Sequence, residues 1–237
     1  MTGPVFDGAG IGDADGPAPL RVVCAIVHHQ TPDLLDAAVR TFRAHEPDVP
    51  VVVLDNGSDA SSDATLDALA ALDGVTVERL GANRHHGPAM DHALRTQTAD
   101  AVLMLDSDTE TRAPFVYAMA AALAAGDPAT GAPAIAAGQV VTVDRRGFAR
   151  TRRATIPVPV SWHALVARDP YLRLPPFRHH GLPMLATMAA AQRAGLAVVP
   201  FPVEQSVWHK GRGTAGRVGY GLGWRSRLDY LLHRLGL

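Results

Sequence analysis

The feature that most limits the fold of this chain is a regular alternation of short aliphatic runs with longer segments rich in Ala and Leu. Each aliphatic run is continuous, which is typical of parallel strands whose two faces are both buried. The runs that we predict to be strands cover residues 21–27, 49–55, 75–80 and 101–106. A sheet of such strands needs helices to cover it.

Segments with helical signals follow these runs. Thr31 and Pro32 suit the cap and the first position of one helix, and Gly74 suits the end of the next. The predicted helices cover residues 31–45, 61–74, 87–100 and about 112–125. The order β-α-β-α-β-α-β predicts an α/β domain with a mostly parallel central sheet, right-handed crossovers and helices on both faces. Ligands of such sheets bind beyond the carboxyl ends of the strands.

The rest of the chain is less regular. Residues 126–138 are rich in Gly, Pro and Ala and are interpreted as connecting segments, whereas residues 150–167 suggest extended segments interrupted by prolines. A helix is predicted over 182–195 and a strand over 196–203. Residues 1–20 are expected to form a flexible leader.

The C-terminal segment, residues 218–237, alternates Leu, Trp and Tyr with Arg and predicts an amphipathic helix. Such a helix can cover the core, or it can contact a membrane surface or a partner. We favour the helix that covers the core, and peripheral membrane contact stays as the alternative.

Composition excludes several classes of protein. The chain has 237 residues, of which 47% are hydrophobic, and this suits one globular domain with a sizeable core. A formal net charge of −1 argues against a nucleic-acid partner. The one cysteine, Cys24, excludes an internal disulfide and fits a cytoplasmic protein. No apolar stretch reaches the roughly 18 residues of a membrane span.

Two carboxylates follow the fourth predicted strand in the sequence AVLMLDSDTE, at the edge where the topology places a ligand. Asp106 and Asp108 repel each other unless a cation lies near them. Mg²⁺ and Mn²⁺ take oxygen ligands and keep positions open for phosphate oxygens. The alternative is that the two residues cap the helix that begins near Thr111, which is the commoner role of an isolated D-x-D pair.

Polar residues also follow the two preceding strands. Asp55 ends the second predicted strand and opens a turn at Asn56-Gly57, where it can accept hydrogen bonds from a base or a ribose or merely end the strand. The loop after the third strand contains Asn83 and Arg84. Three strand ends therefore offer polar groups at one edge of the sheet.

Together these segments resemble the nucleotide-binding half of family 2 glycosyltransferases with the GT-A fold. The resemblance covers about residues 21–112 and is found in VVCAIVHHQTPDLLDAAVRTF, VVVLDNGSDASSDATL, LGANRHHGPAMDHAL and AVLMLDSDTE. It implies that Asp55 contacts the base, that Asp106 contacts the ribose or the metal and that Asp108 binds the metal. It also places His28 against the base, with Asn83 and Arg84 in the nucleotide pocket. Residues 113–217 are then the acceptor-side half of the same domain.

The segment VEQSVWHKGRGTAG, residues 203–216, resembles the part of the family in which a histidine completes the metal site. The resemblance implies that His209 is this metal ligand and that Lys210 and Arg212 are phosphate partners. The alternative for His209 is an ordinary exposed residue of a loop.

One departure from the family concerns the catalytic base. Family members that invert configuration offer an acidic pair in the helix before the last core strand, but residues 177–195 contain no carboxylate. We expect His180, or else His179, to take the acceptor proton, since imidazole titrates near neutral pH. The alternatives are that these histidines only cap or pack against the helix, or that a retaining mechanism needs no such base.

The resemblance implies transfer of a sugar from a nucleotide-diphosphate donor, with UDP as the expected nucleotide and Mn²⁺ or Mg²⁺ as the metal, to an unknown acceptor. A catalytically silent nucleotide-sugar-binding module is one alternative, which the missing acidic pair favours. A nucleotidyltransferase is another, but it needs a Gly-rich basic loop after the first strand, where this chain has HHQTPD.

Overall fold

The computed structural model of the protein describes residues 19–149, 155–178 and 182–210. Its strands are β1 (Val22–His28), β2 (Val51–Asp55), β3 (Val75–Arg79), β4 (Ala101–Asp106), β5 (Thr109–Thr111), β6 (Ala134–Gly138), β7 (Val140–Val143), β8 (Ile156–Pro159), β9 (His163–Ala167), β10 (Ala197–Pro200) and β11 (Val207–His209). Its α-helices are α1 (Pro32–His45), α2 (Asp63–Ala70), α3 (His86–Thr96), α4 (Val116–Ala125), α5 (Arg168–Tyr171) and α6 (Leu185–Arg193). Single turns of 3₁₀-helix cover Ala60–Ser62 and Val203–Gln205.

The central sheet has seven strands in the order β10-β6-β9-β4-β1-β2-β3. Strands β1 to β4 are parallel to one another, and β6 is parallel to β10. Strand β9 is antiparallel to both β4 and β6, so it alone in this sheet runs in the opposite direction. The prediction of a mostly parallel central sheet is confirmed, and so are its four N-terminal strands.

Helices cover both faces of the sheet, as the sequence predicts. One core cluster lies between the sheet and helices α1, α2 and α4, with Phe42 and Met119 among its buried side chains. The other lies between the sheet and helices α3, α5 and α6, with Met90 and Tyr171 among them. Because helices cover both faces, a ligand of this sheet is expected at the edge formed by the carboxyl ends of the parallel strands.

The interpretation as connecting segments holds for residues 126–133 but is wrong for residues 134–138, because Ala134–Gly138 forms the strand β6. Its small side chains give a weak strand signal in the sequence. Close packing explains the glycine at position 138: a Cβ on Gly138 would lie 3.2 Å from the carbonyl oxygen of His163 in β9.

Two pairs of strands stand outside the central sheet. Strands β7 and β8 form an antiparallel hairpin, and β5 pairs with β11 in a two-stranded antiparallel ribbon. In the ribbon His209 is opposite Thr109. This pairing returns the end of the described chain to the residues that follow β4.

The predicted leader lies outside the described residues except for its last two positions, and the predicted C-terminal helix over 218–237 lies outside them entirely. Among the described helices, none combines the length and the apolar character that crossing a bilayer requires.

Candidate metal and nucleotide site

Three elements place the candidate metal ligands. Asp106 is the last residue of β4, and its backbone N–H donates to the carbonyl of Trp162 at 3.3 Å. The hydroxyl of Thr109 donates to the carbonyl of Asp106 at 2.8 Å, which closes the turn that contains Asp108. The N–H of Lys210 then donates to the carbonyl of Asp108 at 2.9 Å and fixes the end of the ribbon.

The side chains of Asp106, Asp108 and His209 converge at this edge. One ligand atom of each lies within 4.8 Å of the other two, and Nε2 of His209 lies 3.3 Å from Oδ1 of Asp108. The Oδ1 atom of Asp106 is buried and makes no hydrogen bond to the described residues. Two carboxylates and one imidazole are ligands that Mn²⁺ and Mg²⁺ accept, and a buried carboxylate oxygen without a hydrogen bond fits a cation in this position.

The capping alternative for the two aspartates is wrong. Helix α4 begins at Val116, and the three-residue strand β5 separates it from Asp108. The buried carboxylate of Glu46 accepts hydrogen bonds from the N–H groups of Phe115 and Val116, so it satisfies the start of this helix. Asp106 and Asp108 therefore do not cap this helix.

The electrostatics of the three groups follow from burial and mutual contact. Burial raises the pKa of Asp106 above its ordinary value; the charges of His86 and His209 oppose this shift, and the charge of Asp108 adds to it. Burial alone would lower the pKa of His209, but the hydrogen bond and the charge of Asp108 outweigh this effect, so the pKa of His209 is raised. A cation bound at this site would relieve the repulsion between the carboxylates and would compete with the proton of His209.

His86, the first residue of α3, also lies at this cluster, although it was not among the predicted site residues. Its Nε2 lies 3.3 Å from Oδ1 of Asp106 in an ion-pair contact. The sequence RHHG before the third predicted helix is a signal for a residue of this kind, because it places imidazoles at the strand edge where Asp106 ends β4.

A second polar cluster lies beside the first, at the ends of β2 and β3. The buried Asp55 accepts from the N–H of Ser58 at 3.1 Å. The side chain of Asn56 donates to Asn83 at 3.2 Å and accepts from the N–H of Arg84 at 2.8 Å. The structure therefore brings together Asp55, Asn83 and Arg84, which the resemblance assigned to the nucleotide.

The two histidines after β1 differ in exposure. His28 is fully buried, and its Nε2 lies 3.4 Å from the hydroxyl of Ser62. Burial lowers the pKa of His28 to about 4, so its ring is neutral at pH 7. His29 is half-buried and lies 3.2 Å from the side-chain amide of Asn83. The buried His28 thus contacts Ser62 in the segment after β2, whereas the half-buried His29 contacts Asn83 in the loop after β3.

The remaining predicted residues are placed as follows. The ammonium of Lys210 forms a 2.6 Å ion pair with Glu110 in the ribbon. Arg212, His179 and His180 lie outside the described residues. In α3, Asp91 accepts a hydrogen bond from the hydroxyl of Tyr171 and pairs with Arg95, so it joins α3 to α5.

The edge of the sheet thus joins a carboxylate-imidazole cluster to a hydrogen-bonded cluster of aspartate and asparagine side chains, and this architecture is that of a GT-A glycosyltransferase. The chain belongs to glycosyl transferase family 2, whose family model matches residues 23–198. No curated protein matches its sequence.

Solved structures support the fold. Glucosyl-3-phosphoglycerate synthase from Mycobacterium tuberculosis, in complex with Mn²⁺, UDP-glucose and phosphoglyceric acid, matches with a TM-score of 0.58 and 18% identity, over 92% of this chain and 80% of that one. The mannosyltransferase PcManGT from Pyrobaculum calidifontis, in complex with GDP-Man and Mn²⁺, matches with a TM-score of 0.57 and 17% identity, over 79% of this chain and 59% of that one.

A third similar structure is GalNAc-T7 with UDP, GalNAc and Mn²⁺. It matches with a TM-score of 0.62 and 13% identity, over 82% of this chain and 44% of that one. The chain therefore spans about half the length of the mannosyltransferase and of GalNAc-T7.

Proposed function

We propose that the protein transfers a sugar from a nucleotide-diphosphate donor to an acceptor with the help of a divalent metal. The observation that supports this most is the convergence of Asp106, Asp108 and His209 within 4.8 Å beside the pocket at Asp55. A metal site and a base pocket side by side can hold the two ends of a nucleoside diphosphate.

The three residues divide the metal-binding role. Asp106 and Asp108 provide carboxylate oxygens, and His209 provides an imidazole nitrogen once it has lost its proton. A divalent cation held there offsets the charge that develops on the diphosphate as the sugar–phosphate bond breaks. Lys210, and Arg212 by resemblance, assist by pairing with phosphate oxygens. The cation is Mn²⁺ or Mg²⁺, and Mn²⁺ is present in the similar structures.

We assign the base and ribose to the loops after β1, β2 and β3. Asp55 has a second carboxylate oxygen that can accept from the base, and Asn83 and Arg84 close the pocket from the loop after β3. The fully buried His28 contacts the hydroxyl of Ser62 and so stabilises the segment that follows β2. UDP is the nucleotide favoured by the family resemblance, and two of the three similar structures contain UDP or a UDP-sugar.

The acceptor side is assigned to residues 113–217, and the base to His180 or, second, His179. Helix α6 ends close to the start of β10, at the edge opposite the metal site, so its N-terminus lies toward the metal edge. The segment FRHHG directly precedes this helix. An imidazole there can remove the acceptor proton at neutral pH.

Calorimetric titration of UDP with Mn²⁺ into the parent and into Asp108→Ala tests the metal site. The variant loses metal-dependent binding but stays folded. Asp127→Ala is the matched control, since Asp127 accepts from Ala129 N–H and the Thr130 hydroxyl in a loop after α4. That control removes only the hydrogen bonds of an exposed turn and should bind UDP and Mn²⁺ like the parent. Parent-like affinity in Asp108→Ala would exclude the proposed metal role.

The catalytically silent binding module is the second candidate, because residues 177–195 contain no carboxylate. Turnover separates it from an enzyme: slow Mn²⁺-dependent hydrolysis of the donor excludes a silent module. In the enzyme, His180→Ala lowers kcat by about 10²- to 10⁴-fold with donor binding preserved, and His179→Ala has a smaller effect. Near-normal turnover of the double variant would remove both histidines as the base.

A further inference from the structure

The imidazole of the proposed ligand His209 lies against the indole of Trp162. The ring centroids are 4.7 Å apart and the ring planes are inclined by 42°. The same indole contacts the ring of His163, with centroids 3.5 Å apart. Three rings are therefore in consecutive contact, from strand β9 of the central sheet to strand β11 of the ribbon.

Trp162 is anchored by the central sheet. Its carbonyl accepts the hydrogen bond from the N–H of Asp106, and the next residue, the fully buried His163, is opposite Leu105 in β4. The indole itself is partly buried against the core cluster of α1, α2 and α4. The sheet therefore fixes the position of this ring.

His209 has less support from its own element. It ends a strand of three residues in a ribbon of two strands, and isolated two-stranded pairs are marginally stable. An imidazole can rotate about its Cβ–Cγ bond, and rotation moves Nε2 away from the metal position. The indole of Trp162, in tilted contact with the imidazole at 4.7 Å, restricts this rotation.

We propose that Trp162 is a positioning residue, which holds the imidazole of His209 with Nε2 toward Asp108 and so sets the affinity of the site for the divalent cation. The 3.3 Å separation of His209 Nε2 and Asp108 Oδ1 is the geometry that the indole preserves. This inference rests on the proposed function, because it takes His209 as a metal ligand.

Calorimetric titration of Mn²⁺ alone into the full chain tests the role of Trp162. Trp162→Leu removes the ring and weakens Mn²⁺ binding by about tenfold, the lower end of the effect of groups that orient metal ligands. Trp162→Phe keeps a ring face and stays within about threefold of the parent. Trp208→Leu is the matched control: Trp208 is 44% exposed and lies under Arg112, and its removal leaves Mn²⁺ affinity unchanged.

A spectroscopic measurement separates positioning from a general loss of stability. Electron spin echo modulation from ¹⁴N reports imidazole bound to Mn²⁺, and it is scaled to the amount of Mn²⁺ bound. The modulation is strong in the parent and in Trp162→Phe and is reduced in Trp162→Leu. A purely structural role would lower the melting temperature without changing this signal.

Parent-like Mn²⁺ affinity and ¹⁴N modulation in Trp162→Leu would overturn the proposal. If circular dichroism shows that this variant does not fold, Trp162→Met fills the same space without a ring and has the same expected result. His209→Ala distinguishes the two levels of inference. If His209→Ala binds Mn²⁺ like the parent, the proposed metal site is wrong. If His209→Ala loses affinity and Trp162→Leu does not, the metal site stands and the proposed role of Trp162 is wrong.

Discussion

Gly57→Ala tests whether contact between two backbone loops shapes the proposed base pocket. Gly57 has φ of +74°, and a Cβ there would lie 2.4 Å from the backbone nitrogen of Asn83 and 2.5 Å from the carbonyl carbon of Ala82. Ordinary Cβ contacts begin at 3.4 Å, so the loops after β2 and β3 must separate by about 1 Å. This separation stretches the bonds of Asn56 to Asn83 and Arg84.

Gly81→Ala is the matched control. Gly81 also has φ of +74°, but a Cβ there would meet nothing within 4 Å. Both substitutions incur the left-handed backbone cost of about 1–2 kcal/mol. Gly57→Ala adds the overpacking cost of about 1–3 kcal/mol. We expect the free energy of unfolding to fall by about 2–5 kcal/mol in Gly57→Ala and by about 1–2 kcal/mol in Gly81→Ala.

Urea unfolding measures these losses, and calorimetric titration with UDP and Mn²⁺ measures the pocket. Loss of one to two hydrogen bonds that shape the pocket corresponds to about tenfold weaker UDP binding in Gly57→Ala. Gly81→Ala should bind UDP like the parent. Equal losses of stability in the two variants would refute the reasoning, because backbone strain alone would then explain both.

Two predictions concern pH. Burial lowers the pKa of both His28 and His163 to about 4, so between pH 6.5 and 4 the unfolded chain binds protons that the folded chain does not. The free energy of unfolding should therefore decrease as the pH falls through this window, by up to about 3 kcal/mol per ring. Urea unfolding at pH 7 and 4.5 should show that His163→Phe loses the part of this pH dependence that His163 contributes. Mn²⁺ must displace the proton of His209, whose pKa is raised. Calorimetry should therefore show a Mn²⁺ affinity that increases with pH and continues to increase beyond about 6.5. His209→Ala should lose this dependence, and a parent whose Mn²⁺ affinity is independent of pH would contradict it.

The sequence predicts the local parts of the site well, because strand ends in a parallel sheet share one edge. Asp55 and Asp106 each end a continuous aliphatic run, and the structure places both at that edge. Strand β6 was not predicted, because Ala and Gly residues give little strand signal. Gly138 of this strand packs closely against β9. Periodicity and propensity describe single segments, and they do not report how closely two strands approach.

Contacts between distant segments were harder to predict. The approach of His209 to Asp108 followed only from the family resemblance, since the ribbon joins residues far apart in the chain. The sequence RHHG places histidines near the strand edge, but which of them contacts Asp106 depends on where the loop after β3 leaves the sheet. Trp162 reaches His209 only because β9 runs antiparallel to β4.

The pairing of β5 with β11 has a consequence for the order in which the protein is made. His209 is opposite Thr109, so 99 residues are synthesised between the two partners. At about 5–20 residues per second, a nascent chain spends roughly 5–20 s with Asp106 and Asp108 in place but without the imidazole. A ribosome-bound chain that ends before His209 therefore has the β-α-β-α-β-α-β unit and lacks the third metal ligand.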